Sequence, residues 1–316
     1  MAIYTDNPQF AKAFLPPEVV NGFAPADTPA PTLTPLFSQV FGDRRPVVSA
    51  RSEEDLFSSL LLSEHSKRSQ YDQLIELART EAGLPDRVAC LAGAGDEFHG
   101  FKGRPWRSVQ GNLHLAVHLA PKQEIDRFAV AFTILAALSV TESLTQIVGL
   151  EKRPRIKWVN DILLGGAKVG GVLAYTQSQG EVVTSAVLGI GINLEARPRV
   201  EPTPFVPAVA AVRDFLPGGG RRLREAVLWA LLETLDRNYR VLEEEGVSPL
   251  LDRYRSHSLV LGREVRVCSE GSDESLEVLA EGRVTGLGEN LELYLDGRND
   301  PISGGRLIVG PGPSEG

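Results

Sequence analysis

Apolar and polar positions follow two rhythms along this 316-residue chain, and their order predicts most of its elements. Leu113, Leu115, Val117 and Leu119 fall on one side of a seven-residue run, with His114, Ala116 and His118 on the other. That period of two marks a half-buried strand. Residues 87–93 read as another strand running into a glycine-rich loop over 94–112. A long helix is predicted over 123–149, apolar on nearly every side through its middle and therefore packed against a sheet. Strands at 155–164, 168–175 and 182–194 follow, joined by turns short enough to make them antiparallel neighbours. Further helices are expected over 53–62, 69–83, 221–245 and 249–256, and several short strands over 261–309.

This succession predicts an α+β fold with a mixed, largely antiparallel sheet. Residues 1–50 carry eight prolines, which oppose long helices and central strands, so an extended N-terminal arm is expected there. The main domain is placed at 51–259 and a small β module at 260–316.

Composition narrows the class. With 42% hydrophobic and 23% charged residues and a mean hydropathy of −0.07, the chain matches a globular protein and not a collagen-like, disulfide-scaffold or disordered one. Its longest apolar stretch, residues 128–140, is short of the roughly 20 residues a bilayer requires. The N-terminus shows no basic region followed by an apolar one, so a cytoplasmic location without membrane contact is expected. Cys90 and Cys268 belong to no CxxC pair and read as ordinary buried thiols. A net charge of −8 argues against DNA or other nucleic acid as a partner.

Three segments carry candidate chemistry. On a strand, Lys157 and Asp161 share one face and Asn160 points away unless the strand bends. An ammonium beside a carboxylate that can hold Mg²⁺ suits an anionic, phosphate-bearing ligand. In the stretch from Gly100 to Trp106, followed by Gly111 and Asn112, Gly100 and Gly103 let the backbone approach a ligand, and Arg104 can form bidentate hydrogen bonds. Gly189 and Gly191 alternate within an apolar strand ending at Asn193 and Leu194, leaving one face bare for something large and flat. His114 and His118 lie roughly 13 Å apart on a strand, too far to share a metal ion. Glu142, with no partner evident in the sequence, is assigned to a solvated helix end.

Taken in order, the strings GRPW with GN beyond, KWVND, KVGGVL and GIGIN resemble the catalytic domain of biotin protein ligases, within the larger biotin/lipoate ligase family. The resemblance covers roughly residues 60–309, because the module beginning LGREVRV looks like that family's C-terminal SH3-like barrel. It implies an ATP-dependent ligase that forms biotinyl-5′-AMP and passes biotin to a lysine of a carboxyl-carrier domain. ATP and Mg²⁺ would be required, with biotin as substrate, and a homodimer is compatible with the family. By the same resemblance Lys157 would contact the biotin carboxylate and the α-phosphate, and Asn160 and Asn193 would lie at the nucleotide. Asp161 would assist Mg²⁺ or hold the lysine. Gly171, Gly189 and Gly191 would give the ligand room, while Arg104 and Trp106 would belong to a closing loop. Two features depart from the family. Its loop, Gly-Arg-Gly-Arg-x-Gly-Arg-x-Trp, is here FHGFKGRPW, lacking two arginines, and its Ser-Thr-Asn is absent. Ser66-Lys67-Arg68 and Ser69-Gln70-Tyr71 are both candidates for that position, with Ser66 taken as the site residue. The altered loop leaves open a ligase for lipoate or a fatty acyl group, or a homologue that only binds nucleotide or carrier.

Overall fold

A computed structural model describes residues 1–26, 28–42, 48–53, 56–80, 83–150, 152–270 and 277–310. The elements begin with β1 (Ala2–Thr5), α1 (Pro8–Ala11), α2 (Pro17–Asn21), β2 (Ala24–Pro25), α3 (Thr34–Phe41), β3 (Val48–Arg51) and β4 (Ser59–Ser66). Next come α4 (Gln70–Ala78), β5 (Val88–Gly95), β6 (Leu113–Leu119), β7 (Gln123–Glu124) and α5 (Phe128–Thr145). They are followed by β8 (Arg155–Lys157), β9 (Asp161–Leu164), β10 (Ala167–Gln179) and β11 (Val182–Ile192). Helices α6 (Leu223–Glu245) and α7 (Ser248–His257) lead to β12 (Glu264–Cys268), β13 (Val278–Leu287), β14 (Leu293–Leu295) and β15 (Arg306–Val309).

Strands β1–β11 form one mixed sheet in the order β2-β3-β1-β4-β5-β6-β11-β10-β9-β8, with β7 on β11. Pairing is parallel at β1/β4 and β4/β5 and antiparallel elsewhere, as the short turns predicted for the second half. Leu113, Leu115, Val117 and Leu119 of β6 join the apolar cluster built with α5, α6 and α7, whereas Ala116 joins a second cluster with Leu74 and Leu77 of α4. Both faces of β6 are therefore covered, and the strand expected to be half-buried is buried at every residue.

Several boundaries differ from the sequence reading. Residues 59–62 form the start of β4, not a helix, and Leu60, Leu61 and Leu62 are fully buried between two parallel neighbours. A short run apolar on both sides fits such a strand and a buried helix alike, so periodicity cannot separate them. The N-terminal stretch is not a detached arm. Its Pro-free segment, β1, lies inside the sheet between β3 and β4, and Trp229 Nε1 of α6 donates to the Phe14 carbonyl at 3.2 Å. The long helix begins at Phe128 and is preceded by β7; it has the length and composition to cross a bilayer, yet 67% of it is buried within this protein. The expected strand over 155–164 is a hairpin, β8 and β9, turning at 158–160.

Glu142 of α5 is not at a solvated end. Its carboxylate accepts from Arg253 Nη1 of α7 at 2.9 Å, and from Arg237 Nη2 and Asn238 Nδ2 of α6 at 3.0 and 3.1 Å. The fully buried Asn238 also donates to Ser139 Oγ and accepts from Arg253 Nη2, so one polar knot binds α5, α6 and α7 together. A second sheet, β14-β13-β12-β15, follows α7. It docks on the β8–β9 turn through Trp158 Nε1, which donates to the Leu291 carbonyl at 2.6 Å, while Arg255 of α7 donates to the Leu287 carbonyl.

Removing Glu142 takes one acceptor from each of Arg237, Asn238 and Arg253. Glu142→Ala is expected to lower unfolding stability by about 2–3 kcal/mol, the scale of lost hydrogen bonds to a charged group, and the more exposed Arg237→Ala by under about 1 kcal/mol. Urea denaturation followed by circular dichroism checks both; equal effects would mean that the carboxylate is not the hub.

Candidate active site

Strands β6, β11 and β10 build the floor of a cavity of about 600 Å³. Register places His114 of β6 beside Gly191 of β11 and Ala92 of β5, and Gly191 beside Gly171 of β10. The next row holds Ala116, Gly189 and Leu173. Gly189 and Gly191 were expected to leave a bare face for a ligand, but this chain's own rings lie there. A Cβ at Gly191 would stand 2.5 Å from Cζ2 of Trp106, and one at Gly189 3.0 Å from Cδ2 of Tyr71. The glycines thus admit a paved aromatic floor. Gly171 has only ordinary contacts within reach of such a carbon.

Lys157 ends β8 directly across from Asp161, so the chain reverses at Trp158–Asn160 and the ammonium, the amide and the carboxylate all line the cavity. Lys157 is only 7% exposed, and its Nζ donates to the Phe205 carbonyl. Burial first, then the nearby cations Lys168, Arg306 and Arg104, lower its pKa to about 8, with Asp161 pulling the other way. Asp161 itself pairs with Lys168 Nζ at 2.5 Å. Its carboxylate therefore serves as the counter-ion of a lysine, not as an open cation ligand. Among the described residues, no group of three His, Cys, Asp or Glu side chains could hold a metal.

The loop from Phe98 to Trp106 forms a small hairpin. Trp106 N donates to the Phe98 carbonyl at 3.1 Å and Gly100 N to the Arg104 carbonyl at 2.6 Å, with Lys102 and Gly103 at φ +56° and +72° making the tip. His99 Nε2 stands 3.0 Å from both carboxylate oxygens of Asp72 on α4. Burial opposes charge on His99, but hydrogen bonds to Asp72 and the Gly100 carbonyl hold its pKa above the ordinary value. Lys102 pairs with Glu270 beyond β12 at 3.4 Å, so the tip bridges to the smaller sheet. Arg104 lies at the exposed rim, its Nε donating to the Phe101 carbonyl.

Of the residues picked out in the sequence, Lys157, Asn160, Asp161, Gly171, Gly189, Gly191, Asn193, Gly100, Arg104 and Trp106 converge on this cavity. Ser66 does not line it; its Oγ donates to the Arg68 carbonyl, and Ser69, Gln70 and Tyr71 stand at the wall instead. Asn112 is fully buried, and its Oδ1 accepts from the backbone N–H groups of Leu194, Glu195 and Ala196, pinning the segment that leaves β11. Gly103 shapes the hairpin tip without lining the cavity. His118 bonds the Pro85 carbonyl and Ser185, well away from any ligand role. Sequence reasoning missed Phe205, His114 and Arg306. The guanidinium of Arg306, on β15, stacks 3.6 Å from the centre of the Phe205 ring, and no local string signals a residue about 150 positions from Lys157.

Comparison with known proteins agrees with this geometry. Residues 90–193 match the model of the biotin/lipoate A/B protein ligase family. The bifunctional ligase/repressor BirA of Bacillus subtilis is 28% identical over 60% of this chain, which spans 57% of that protein's length. A biotin–[acetyl-CoA-carboxylase] ligase of Paracoccus denitrificans is 29% identical over 63% of this chain and 82% of its own. The biotin protein ligase of Aquifex aeolicus, solved in complex with biotin and ATP, shares the fold at a TM-score of 0.62 and 23% identity, covering 81% of this chain and all of that one. The loop that holds Trp106 and the strands that hold Lys157, Gly189 and Gly191 all fall in the segment that matches the biotin/lipoate A/B protein ligase family model.

Proposed function

We propose that this protein is an ATP-dependent biotin protein ligase. The observation that carries the reading is the Lys157 ammonium, buried in a cavity ringed by Lys168, Arg104 and Arg306 over a Trp106–Tyr71 floor. A cation stripped of water holds an anion far more strongly than one at the surface. The acid's carboxylate would replace the Phe205 carbonyl on Lys157, and an oxygen of that carboxylate would attack the α-phosphorus of ATP. The P–O bond to pyrophosphate breaks, leaving the acyl-adenylate. A lysine amine of a carrier domain then attacks the acyl carbon, forming the amide, and AMP departs. Lys157 acts by position and charge as negative charge moves from carboxylate to phosphate. Lys168, Arg104 and Arg306 add positive field for the phosphates. With Asp161 engaged by Lys168 and no group of three His, Cys, Asp or Glu side chains placed to hold a metal among the described residues, Mg²⁺ is read as arriving with the substrate as Mg–ATP.

The smaller sheet, β14-β13-β12-β15, is read as the SH3-like module of this family. Its Glu270 and Arg306 at the cavity support a part in closing the site. Closure matters because an acyl-adenylate hydrolyses when water reaches it. A biotin carboxyl carrier is the acceptor that fits this reading, in the cytoplasm where ATP is supplied.

Lys157→Ala is expected to lower biotin-dependent exchange of pyrophosphate into ATP by at least about 100-fold with the circular dichroism spectrum unchanged. An exchange rate near that of the parent would remove Lys157 from the reaction. The same half-reaction has a predicted pH signature. The protonated amine binds the carboxylate, so kcat/KM for biotin should be full below pH 8 and fall as pH rises through about 8, the value set by burial. Lys157→Arg, charged at every pH tested, should be slower and lack this alkaline limb. A limb that persists in the arginine variant would belong to another group.

A further inference from the structure

Among the described residues, the hairpin over the cavity is tied down at three places that differ in kind. Its stem is apolar: Trp106 lies over Gly191, and Phe98 meets His114 edge-on at 5.5 Å between ring centres. Its tip pairs Lys102 with Glu270 at 3.4 Å, and an ion pair so open to water holds weakly. Its flank is held by His99, whose two ring nitrogens both face acceptors. Nε2 stands 3.0 Å from each carboxylate oxygen of Asp72, and Nδ1 stands 3.2 Å from the Gly100 carbonyl. A carboxylate and a carbonyl only accept, and a neutral imidazole carries a single N–H. Both contacts are therefore hydrogen bonds only when His99 is an imidazolium. Asp72 lies in the first turn of α4, where the free N–H groups of the helix favour negative charge. The other charged or titratable neighbours are committed elsewhere or neutral. Arg68, in the field of Asp72 and Glu97, pairs with Glu76, and Arg104 donates to the Phe101 carbonyl. Tyr71, edge-on to His99 at 6.1 Å, is kept neutral by burial and by Asp72. The side chains of His99 and Asp72 are 31% and 37% exposed, so solvent protons reach the pair.

We propose that His99 and Asp72 form a proton-operated latch: the imidazolium on the carboxylate holds the hairpin shut over the cavity, and loss of one proton frees its flank. When His99 gives a proton to solvent, one of its two nitrogens is left with a lone pair facing an acceptor, and that contact turns from attraction to repulsion. The flank then swings, Trp106 lifts from Gly191, and the cavity opens beneath it. Burial disfavours the charged ring, but the bonds to Asp72 and to the Gly100 carbonyl outweigh it and raise the His99 pKa above the ordinary value. The latch is thus complete below the ordinary histidine range and is lost as pH rises through the raised value. Asp72 does not line the cavity, so the pair acts through the loop, as positioning residues that govern how fast a ligand enters and leaves. The inference rests on the ligase reading only for the choice of biotin as a probe.

Fluorine NMR of the full chain labelled with 5-fluorotryptophan tests the latch without any ligand. The three tryptophans give three resonances, and Trp106→Phe assigns the one in the loop. Between about pH 6 and about pH 9, the Trp106 resonance of the parent should follow one titration with its midpoint above the ordinary histidine value, while that of Trp229 on α6 stays in place. In Asp72→Ala it should keep the parent's high-pH position throughout. In His99→Arg, which holds a cation opposite Asp72 at every pH, it should keep the low-pH position. A Trp106 resonance that does not move in the parent, or whose movement survives in Asp72→Ala, would overturn the proposal. Stopped-flow release of biotin supplies the functional readout. At about pH 6, Asp72→Ala should release it at least about threefold faster than the parent or His99→Arg, the scale for a half-exposed ion pair. At about pH 9 the parent should match Asp72→Ala, with His99→Arg still slower. Comparison at one pH cancels the titration of Lys157, which all three proteins share. Equal release from all three at both pH values would also overturn the latch. A Trp106 titration that depends on Asp72 in a protein without affinity for biotin would sustain the latch and sink the ligase reading instead.

Discussion

A buried ammonium needs a negative partner, and much of the site follows from that need. Lys157 sits at the end of a three-residue strand with almost no access to water. Its own carboxylate neighbour across the hairpin, Asp161, is already taken by Lys168, so Lys157 turns to a backbone carbonyl at Phe205. A neutral carbonyl satisfies the hydrogen bond without neutralising the charge, and the lowered pKa expresses what remains unmet. The surroundings then fix where the charge points. Tyr254 donates to the Val159 carbonyl at 2.8 Å, and Trp158 is anchored to Leu291, so the turn carrying Lys157 is held from both α7 and the second sheet. Two elements distant in the chain are spent on positioning one side chain.

The other half of the cavity is governed by space. Glycine at 189 and 191 removes two side chains from β11, and the vacated room is filled by Tyr71 and Trp106. A substrate would thus rest on rings supplied by α4 and by the loop, with polar atoms waiting at its edges. The loop joins these parts mechanically: its stem holds Phe98 and Trp106, its flank is latched by His99 to Asp72, and its tip reaches Glu270. In this loop the chain carries a histidine–aspartate latch and an aromatic stem. The loop is therefore tied into the site at three points.

How much of this was legible in the sequence depended on the range of the interaction. The hairpins of β8 to β11 were readable because glycine turns and alternation are local, and Lys157, Trp106, Gly189 and Gly191 were readable because short strings carry them. The strand at 59–62 was misread because Leu60, Leu61 and Leu62 are buried on both faces, which erases the alternation that distinguishes strand from helix. β1 was hidden by surrounding prolines that turned out to lie outside it. Glu142 looked solvated because its partners, Arg237, Asn238 and Arg253, come from helices about a hundred residues away. Asn112 was taken for a ligand contact, although its side chain is consumed by three backbone N–H groups. His114, Phe205 and Arg306 join the site through packing alone, and no spacing rule connects them.

A crystal structure of the protein with biotin and a non-hydrolysable ATP analogue tests the central claim most directly. The account predicts the biotin carboxylate within hydrogen-bond distance of Lys157 Nζ, the Phe205 carbonyl displaced from it, and the analogue's phosphates toward Lys168 and Arg306. A carboxylate bound elsewhere while Lys157 keeps its bond to Phe205 would contradict it.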